Sequence, residues 1–274
     1  MSIVLSYDNF ITASYSLDRG DVKLPDETLD KFNNIKKKLG VKDSKFERAE
    51  KLVVTQITKP VGSLSELFKL LNKVTDKTYE KLKNDIVGLI LNTDDASEVC
   101  ESFFKIINAN SFYCRLYAKL YYIVIENKAN YKDILRIKTN EYIKKFDNIE
   151  FVSSTEDYDA YCLYVKQIDT IKNFTSFLVQ CAIQGALDLS HISILIQTFQ
   201  ETILGNIYTL EETYKNEVYV SNIHILIKEI YPLIKTDSGW KSILSNHKQM
   251  INLQGEGKTK KMAFNLMDIS DLIK

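Results

Sequence analysis

Three prolines and nine glycines in 274 residues leave this chain almost without the residues that turn a backbone sharply. Average usage over that length gives roughly 14 prolines and 19 glycines. A β-sandwich, barrel or propeller needs turn residues at every corner, so those folds are excluded and helices joined by few breaks are expected. Hydrophobic residues at 45% and charged residues at 26% supply a core under a solvated surface, and exclude disorder over most of the length.

The apolar spacing agrees. Residues 1–62 read as an amino-terminal extension. Tyr7, Phe10 and Ile11 open it, Pro25 starts an amphipathic helix that stops at Gly40, and a second short helix spans Asp43 to Leu52. A β-prone string follows, broken at Pro60 and Gly62. From Ser63 onward helix follows helix. Ser63 and Glu66 have capping-box spacing, with Leu64, Leu67, Phe68, Leu71 and Val74 on one stripe. Thr75 caps the next helix, with Tyr79, Leu82, Ile86 and Leu89 inside. Thr93 to Asp95 cap a third that carries Val99, Phe103, Phe104, Ile106 and Ile107, and Ser111 opens a fourth with Leu116, Leu120, Ile123 and Val124.

A fifth helix over Tyr131 to Phe146 ends at an acidic connector, and a long apolar helix or kinked pair runs to Leu187. The next pair covers His191 to Leu204, closed by Gly205, and Leu210 to Ile230, with Thr209 and Glu212 as a capping box and Pro232 as a break. A last pair covers Trp240 to Gln254 and Thr259 to Lys274. About ten helices in antiparallel pairs over residues 63–274 predict an all-α superhelix, a HEAT-repeat-like solenoid of about five pairs. A compact bundle is the alternative, but successive hairpins of that number do not share one bundle core.

Lys plus Arg equals Asp plus Glu at 36 each, so no global field favours nucleic acid or acidic lipid. The arginines are only Arg19, Arg48, Arg115 and Arg136, which removes the forked donors of base recognition and leaves weak RNA backbone contact by lysines. Cys100, Cys114, Cys162 and Cys181 are spaced as buried free thiols of a reducing compartment. No signal peptide is apparent, and the uncharged stretch Asn173 to Leu187 is too short and polar for a bilayer. A cytoplasmic or nuclear address without membrane contact is expected.

Catalytic signatures are missing. His191, His224 and His247 are too scattered for a metal set or triad. Gly257-Lys258-Thr259 is similar to the end of a phosphate loop, but Asn252 stands where its first glycine belongs and helices precede it, so a hairpin turn is the better account. Glu156, Asp157 and Asp159 lack the ligand order of a calcium loop and read as a solvated charge run. The expectation is a protein that is not an enzyme, holds no cofactor or metal, and works through surfaces displayed by its hairpins.

Two stretches carry a family resemblance. Leu67-Phe68-Lys69-Leu70-Leu71-Asn72-Lys73-Val74-Thr75, continuing to Tyr79 and Leu82, resembles the opening hairpin of the middle domain of translation initiation factor four gamma. Lys261 to Leu272, with Phe264 and the Asp268-Ile269-Ser270-Asp271-Leu272 string, resembles that family's closing helix. Phe103 to Ala118 and Tyr131 to Phe146 resemble elements between them, in the family's order. The resemblance covers about residues 63–274 and implies a HEAT-type scaffold that binds a DEAD-box RNA helicase, initiation factor four A, and also contacts RNA.

By that resemblance Asn72, Lys73 and Thr75 are the helicase-binding residues, Asp268 and Asp271 are structural or partner-facing, and Phe112 and Phe264 belong to the core. Tyr7, Phe10 and Ile11 have the flavour, though not the spacing, of the motif that recruits the cap-binding subunit. The family's lead-in tryptophan is replaced by Leu52, Val53 and Val54, and Ala263 stands in place of a basic residue. Lysine-, asparagine- and isoleucine-rich usage is that of an AT-rich genome, as a viral or protist member would have. Related scaffolds in splicing, cap binding and nonsense-mediated decay are the alternative role.

Overall fold

The computed structural model describes residues 25–38, 63–109 and 111–274. Tyr7, Phe10, Ile11, Gly40, the helix expected over Asp43 to Leu52, Pro60 and Gly62 lie outside the described residues. The chain divides into two units, residues 1–58 and 59–274. In the first, α1 (Asp26–Lys38) follows Pro25, whose carbonyl accepts from the Thr28 N–H at 2.8 Å. A proline there supplies a helical φ where no N–H is needed.

The described residues of the second unit form ten helices: α2 (Ser63–Leu71), α3 (Tyr79–Leu91), α4 (Ala96–Ala109), α5 (Cys114–Asn127), α6 (Asn130–Lys144), α7 (Tyr158–Ile183), α8 (Leu189–Asn206), α9 (Thr213–Ile234), α10 (Trp240–Asn252) and α11 (Lys260–Leu272). Among the described residues the regular structure is all helical. Helices two apart lie on one another along the unit: α2 on α4, α3 on α5, α5 on α7, α7 on α9, α8 on α10 and α9 on α11. Such stepwise packing of antiparallel pairs is an α–α superhelix, in which each pair leans on its neighbours. The long α7 also reaches back to α4.

The stripes read from sequence form the core. Leu64, Leu67, Leu71 and Val74 are buried on α2 and its turn, as are Val99, Phe103, Phe104, Ile106 and Ile107 on α4. A chain of rings runs through the middle of the stack. Phe104 meets Phe174 at 5.6 Å, Phe174 meets Tyr142 at 5.3 Å, Tyr142 meets Phe146 at 5.2 Å, and Phe146 stacks on Tyr219 at 4.7 Å. Edge and offset ring pairs add about 0.5–1.5 kcal/mol each beyond the area they bury. The Tyr142 hydroxyl is bonded to Thr175, whose hydroxyl in turn reaches Asn222, and the nearby Tyr121 hydroxyl donates to the Tyr131 carbonyl at 2.9 Å.

Several expected boundaries move. Helix α3 begins at Tyr79, because residues 75–78 form a separate turn, so Thr75 is not its cap. Gly205 sits inside α8 with open space around it and does not end the helix. Pro232 sits inside α9; the carbonyl it leaves without a helical donor belongs to Lys228, an exposed residue, so the helix continues to bury Ile234. Thr209 makes no side-chain cap; residues Leu210–Glu212 form a 3-10 turn before α9 instead.

The second half of the acidic connector is helical from Tyr158, and α7 is one helix of 26 residues. Asp157 caps it by accepting the Ala160 N–H at 2.9 Å. Its other end is a Gly185 turn at φ 81°, with Ala186 N–H bonded to Cys181 O and Gly185 N–H to Ala182 O. Phe112 and Phe264, expected in the core, are 78% and 65% exposed, and Cys162 is exposed. Apolar identity alone does not say which side of a turn or helix faces the neighbouring pair.

Candidate functional site

The α2–α3 turn closes most of its backbone with its own residues and is braced from α5 by two further contacts. Val74 is 1% exposed and pins the turn to the core, while Asn72 and Lys73, which follow Leu71 at the end of α2, face solvent. The Asn72 N–H and side-chain amide both donate to Phe68 O, at 3.1 and 3.0 Å. Lys73 N–H donates to Leu70 O at 3.0 Å. These bonds satisfy carbonyls that the end of α2 leaves open.

The far side of the turn is closed by two threonines. Thr78 Oγ1 donates to Lys73 O at 2.6 Å and accepts the Thr75 N–H at 2.9 Å. A hydroxyl has one proton, so at the 2.9 Å contact between them Thr75 Oγ1 is the donor to Thr78 Oγ1. Thr75 is half-buried and engaged, which makes it a shaping residue of the turn. Asn72 keeps its amide oxygen, and Lys73 and Lys77 their ammonium groups, outside any bond to a described residue.

Asp76, in the same turn, pairs with Arg115 at 2.7 Å. That contact places the start of α5 beside the α2–α3 turn, and Tyr117 reinforces it by donating to Leu71 O at 3.2 Å. Phe112, three residues before Arg115, extends the exposed surface. Helical periodicity does not single out Asp76, Lys77 or Arg115. The only available signal was a rare arginine next to a Phe-Tyr pair in a loop.

The other sequence candidates have structural roles. Lys258 donates to Ile251 O at 2.6 Å and Leu253 O at 2.8 Å, closing the end of α10, and burial lowers its pKa. Gly257 N–H bonds to Ile207 O at 2.9 Å, and Thr259 caps α11 by accepting the Met262 N–H at 3.1 Å. Glu217 accepts from Thr259 at 2.6 Å and pairs with Lys261 at 3.0 Å. The Gly257-Lys258-Thr259 string is therefore the hairpin turn expected of it.

His247 is 2% exposed, with Nε2 on Ser270 Oγ at 2.9 Å, and burial lowers its pKa to about 4. His191 lies near Asp188 at 3.7 Å, and burial lowers the pKa of His224. Burial pushes the Cys100 thiol up to about 11 and Cys114 up to about 12, which leaves both as thiols at neutral pH. Among the described residues no group of three or more His, Cys, Asp and Glu side chains could hold a metal ion, and no helix is long and apolar enough to cross a membrane. Asp268 and Asp271 lie on α11, where Asp271 pairs with Lys274 and Asp268 is near His224.

Fold and packing define a helical, repeat-like domain of stacked pairs. Compared with models of known protein families and with curated protein sequences, the chain matches none.

Proposed function

We propose that this chain is a translation-initiation scaffold that docks a DEAD-box RNA helicase of the initiation factor four A type through its α2–α3 turn. The observation that carries the reading is the ordered turn itself: its own bonds, with the brace from Tyr117, hold the backbone, and it presents the Asn72 amide oxygen and the Lys73 side chain on an exposed surface. The ordered resemblance of residues 63–274 to the middle domain of initiation factor four gamma gives the class of partner. A rigid turn loses little conformational freedom on binding, so its few polar contacts are not offset by ordering. Lys73 and Lys77 pair with carboxylates of one helicase lobe, Asn72 accepts a backbone or side-chain N–H, and Thr75 positions them.

The same scaffold role includes RNA contact through lysines and recruitment of a cap-binding subunit by Tyr7, Phe10 and Ile11, in the cytoplasm and without catalysis by this chain. Binding of purified full-length chain to the helicase, with and without RNA and an ATP analogue, tests the reading. The double substitution Asn72→Ala, Lys73→Glu should weaken binding roughly tenfold or more without loss of helicity. Helicase binding that ignores this substitution, or recovery of splicing or decay helicases in place of initiation ones, overturns it.

A further inference from the structure

A second surface, built from the α6–α7 connector and the starts of α7 and α9, has a different chemistry. Phe151 lies flat on Tyr214, with centroids 3.5 Å apart and planes 3° from parallel. It stands edge-on to Tyr164 at 5.6 Å, and Tyr164 meets Tyr161 at 6.3 Å. Tyr158 lies one turn before Tyr161 on α7 and is 68% exposed; Phe151 and Tyr214 are 42% and 39% exposed. A groove of about 190 Å³ between α7 and α9 has Tyr161 and Tyr164 in its walls, with Asp169 and Glu217 set against Lys172 and Lys261. Single exposed rings need no explanation, whereas a contiguous exposed cluster marks an interaction site.

The surrounding charge selects the occupant. Residues 147–169 hold six carboxylates against Lys166 alone. Among the described residues none of the six has an ion-pair partner. The contrast is the 430 Å³ groove over Phe104, Tyr142 and Phe174. Its rim balances Glu98, Glu101 and Glu141 against Lys105, Lys138 and Lys145, and Lys138 bridges two of those glutamates. There, as in the smaller groove beside Tyr161 and Tyr164, lysines and carboxylates balance; the six carboxylates of the segment that carries Phe151 have no ion-pair partner among the described residues.

Flat rings in an unneutralised acidic field repel polyanions and attract a cation that can lie on a ring. Arginine is that cation, because its weakly hydrated planar guanidinium stacks on aromatic faces while its edge donates to carboxylates. We propose that the Phe151–Tyr164–Tyr214 surface docks a basic, arginine-bearing peptide segment of a protein partner, the guanidinium groups lying on the rings among the carboxylates of residues 147–169. The docking holds whether or not the α2–α3 turn binds a helicase.

The test titrates the full chain against short fluorescein-labelled peptides that differ only in carrying arginines, lysines or glutamates at the same positions, with a labelled single-stranded RNA in parallel. The arginine peptide binds, the lysine peptide binds more weakly, and the glutamate peptide and the RNA do not compete for the site. Phe151→Ala with Tyr214→Ala weakens the arginine peptide roughly tenfold. Should that double variant lose helicity, Tyr158→Ala, at an exposed position, takes its place with a smaller loss of the same sign. Glu150→Gln with Glu156→Gln weakens binding and flattens its salt dependence. Arginine and lysine peptides of equal affinity, an affinity untouched by the ring variants, or RNA bound in competition with the peptide each overturn the proposal.

Discussion

The turn between α2 and α3 and the turn between α10 and α11 close the first and last hairpins of one stack, and each sets a lysine near a threonine. In the first, most carbonyls at the end of the helix are satisfied from within the turn, by Asn72, Lys73 and Thr78, Tyr117 of α5 adds a bond to Leu71 O, and the lysine side chain is exposed. In the last, the carbonyls at the end of α10 take the Lys258 ammonium, and the glycines on its amino-terminal side press against the end of α8. Asn216 fixes that loop from α9 by donating to Gly257 O at 3.2 Å. A turn that satisfies its own backbone can offer side chains to a partner. A turn whose backbone is pressed against a neighbouring pair, with no room for a Cβ, becomes part of the stack.

The largest effect should come from filling the close approach. A Cβ on Gly255 would meet Ile207 O at 2.2 Å, and one on Gly257 would meet Asn206 O at 2.7 Å. Both obstacles are backbone, which cannot swing away, so Gly255→Ala and Gly257→Ala should each destabilise by about 3 kcal/mol. Gly88 and Gly205 have nothing within 4 Å of the same added atom. There alanine should stabilise by about 0.5–1 kcal/mol through helix propensity. Urea unfolding of the four variants separates the cases; a neutral Gly257→Ala would mean the last turn is not held by the end of α8.

Much of the stack was legible because buried stripes repeat at helical spacing: every apolar residue assigned to the α4 interior is buried. Boundaries failed where tertiary packing overrode a local signal. Pro232 and Gly205 look like stops, yet one lies over an exposed carbonyl-bearing residue and the other in open space, so neither is costly enough to end its helix. The Gly185 turn that does end α7 went unread because a glycine after Gln184 is informative only once its φ is known. In the candidate turn, Asn72 and Lys73 were accessible from residue type and position. Arg115 was not, since its partner Asp76 lies 39 residues away and only the stacking of successive hairpins brings them together.

Acid should distinguish the two turns next. His247 on α10 has a folded pKa lowered by burial to about 4 from its ordinary 6.5. The unfolded chain therefore takes up this proton first as pH falls, and the stability present above pH 6.5 drains away between 6.5 and about 4. The loss attached to this histidine is at most about 3 kcal/mol. Hydrogen exchange should show α10 and α11 losing protection over that window ahead of α2 and α3, and His247→Gln should flatten the pH dependence. Equal loosening of both hairpins would place the acid-sensitive group elsewhere.

The smallest stability effect carries the sharpest contrast. Lys258→Met removes the donor to two helix-end carbonyls and should destabilise by about 1 kcal/mol. Lys73→Met removes an exposed ammonium with no bond to a described residue, and should change stability by less than about 0.5 kcal/mol. Helicase affinity should reverse the order, because only Lys73 lies on the surface proposed for docking: Lys73→Met weakens binding, and Lys258→Met leaves it unchanged when measured well below its unfolding midpoint. If Lys73→Met proves the more destabilising of the two, its ammonium serves the fold, and the first turn is as structural as the last.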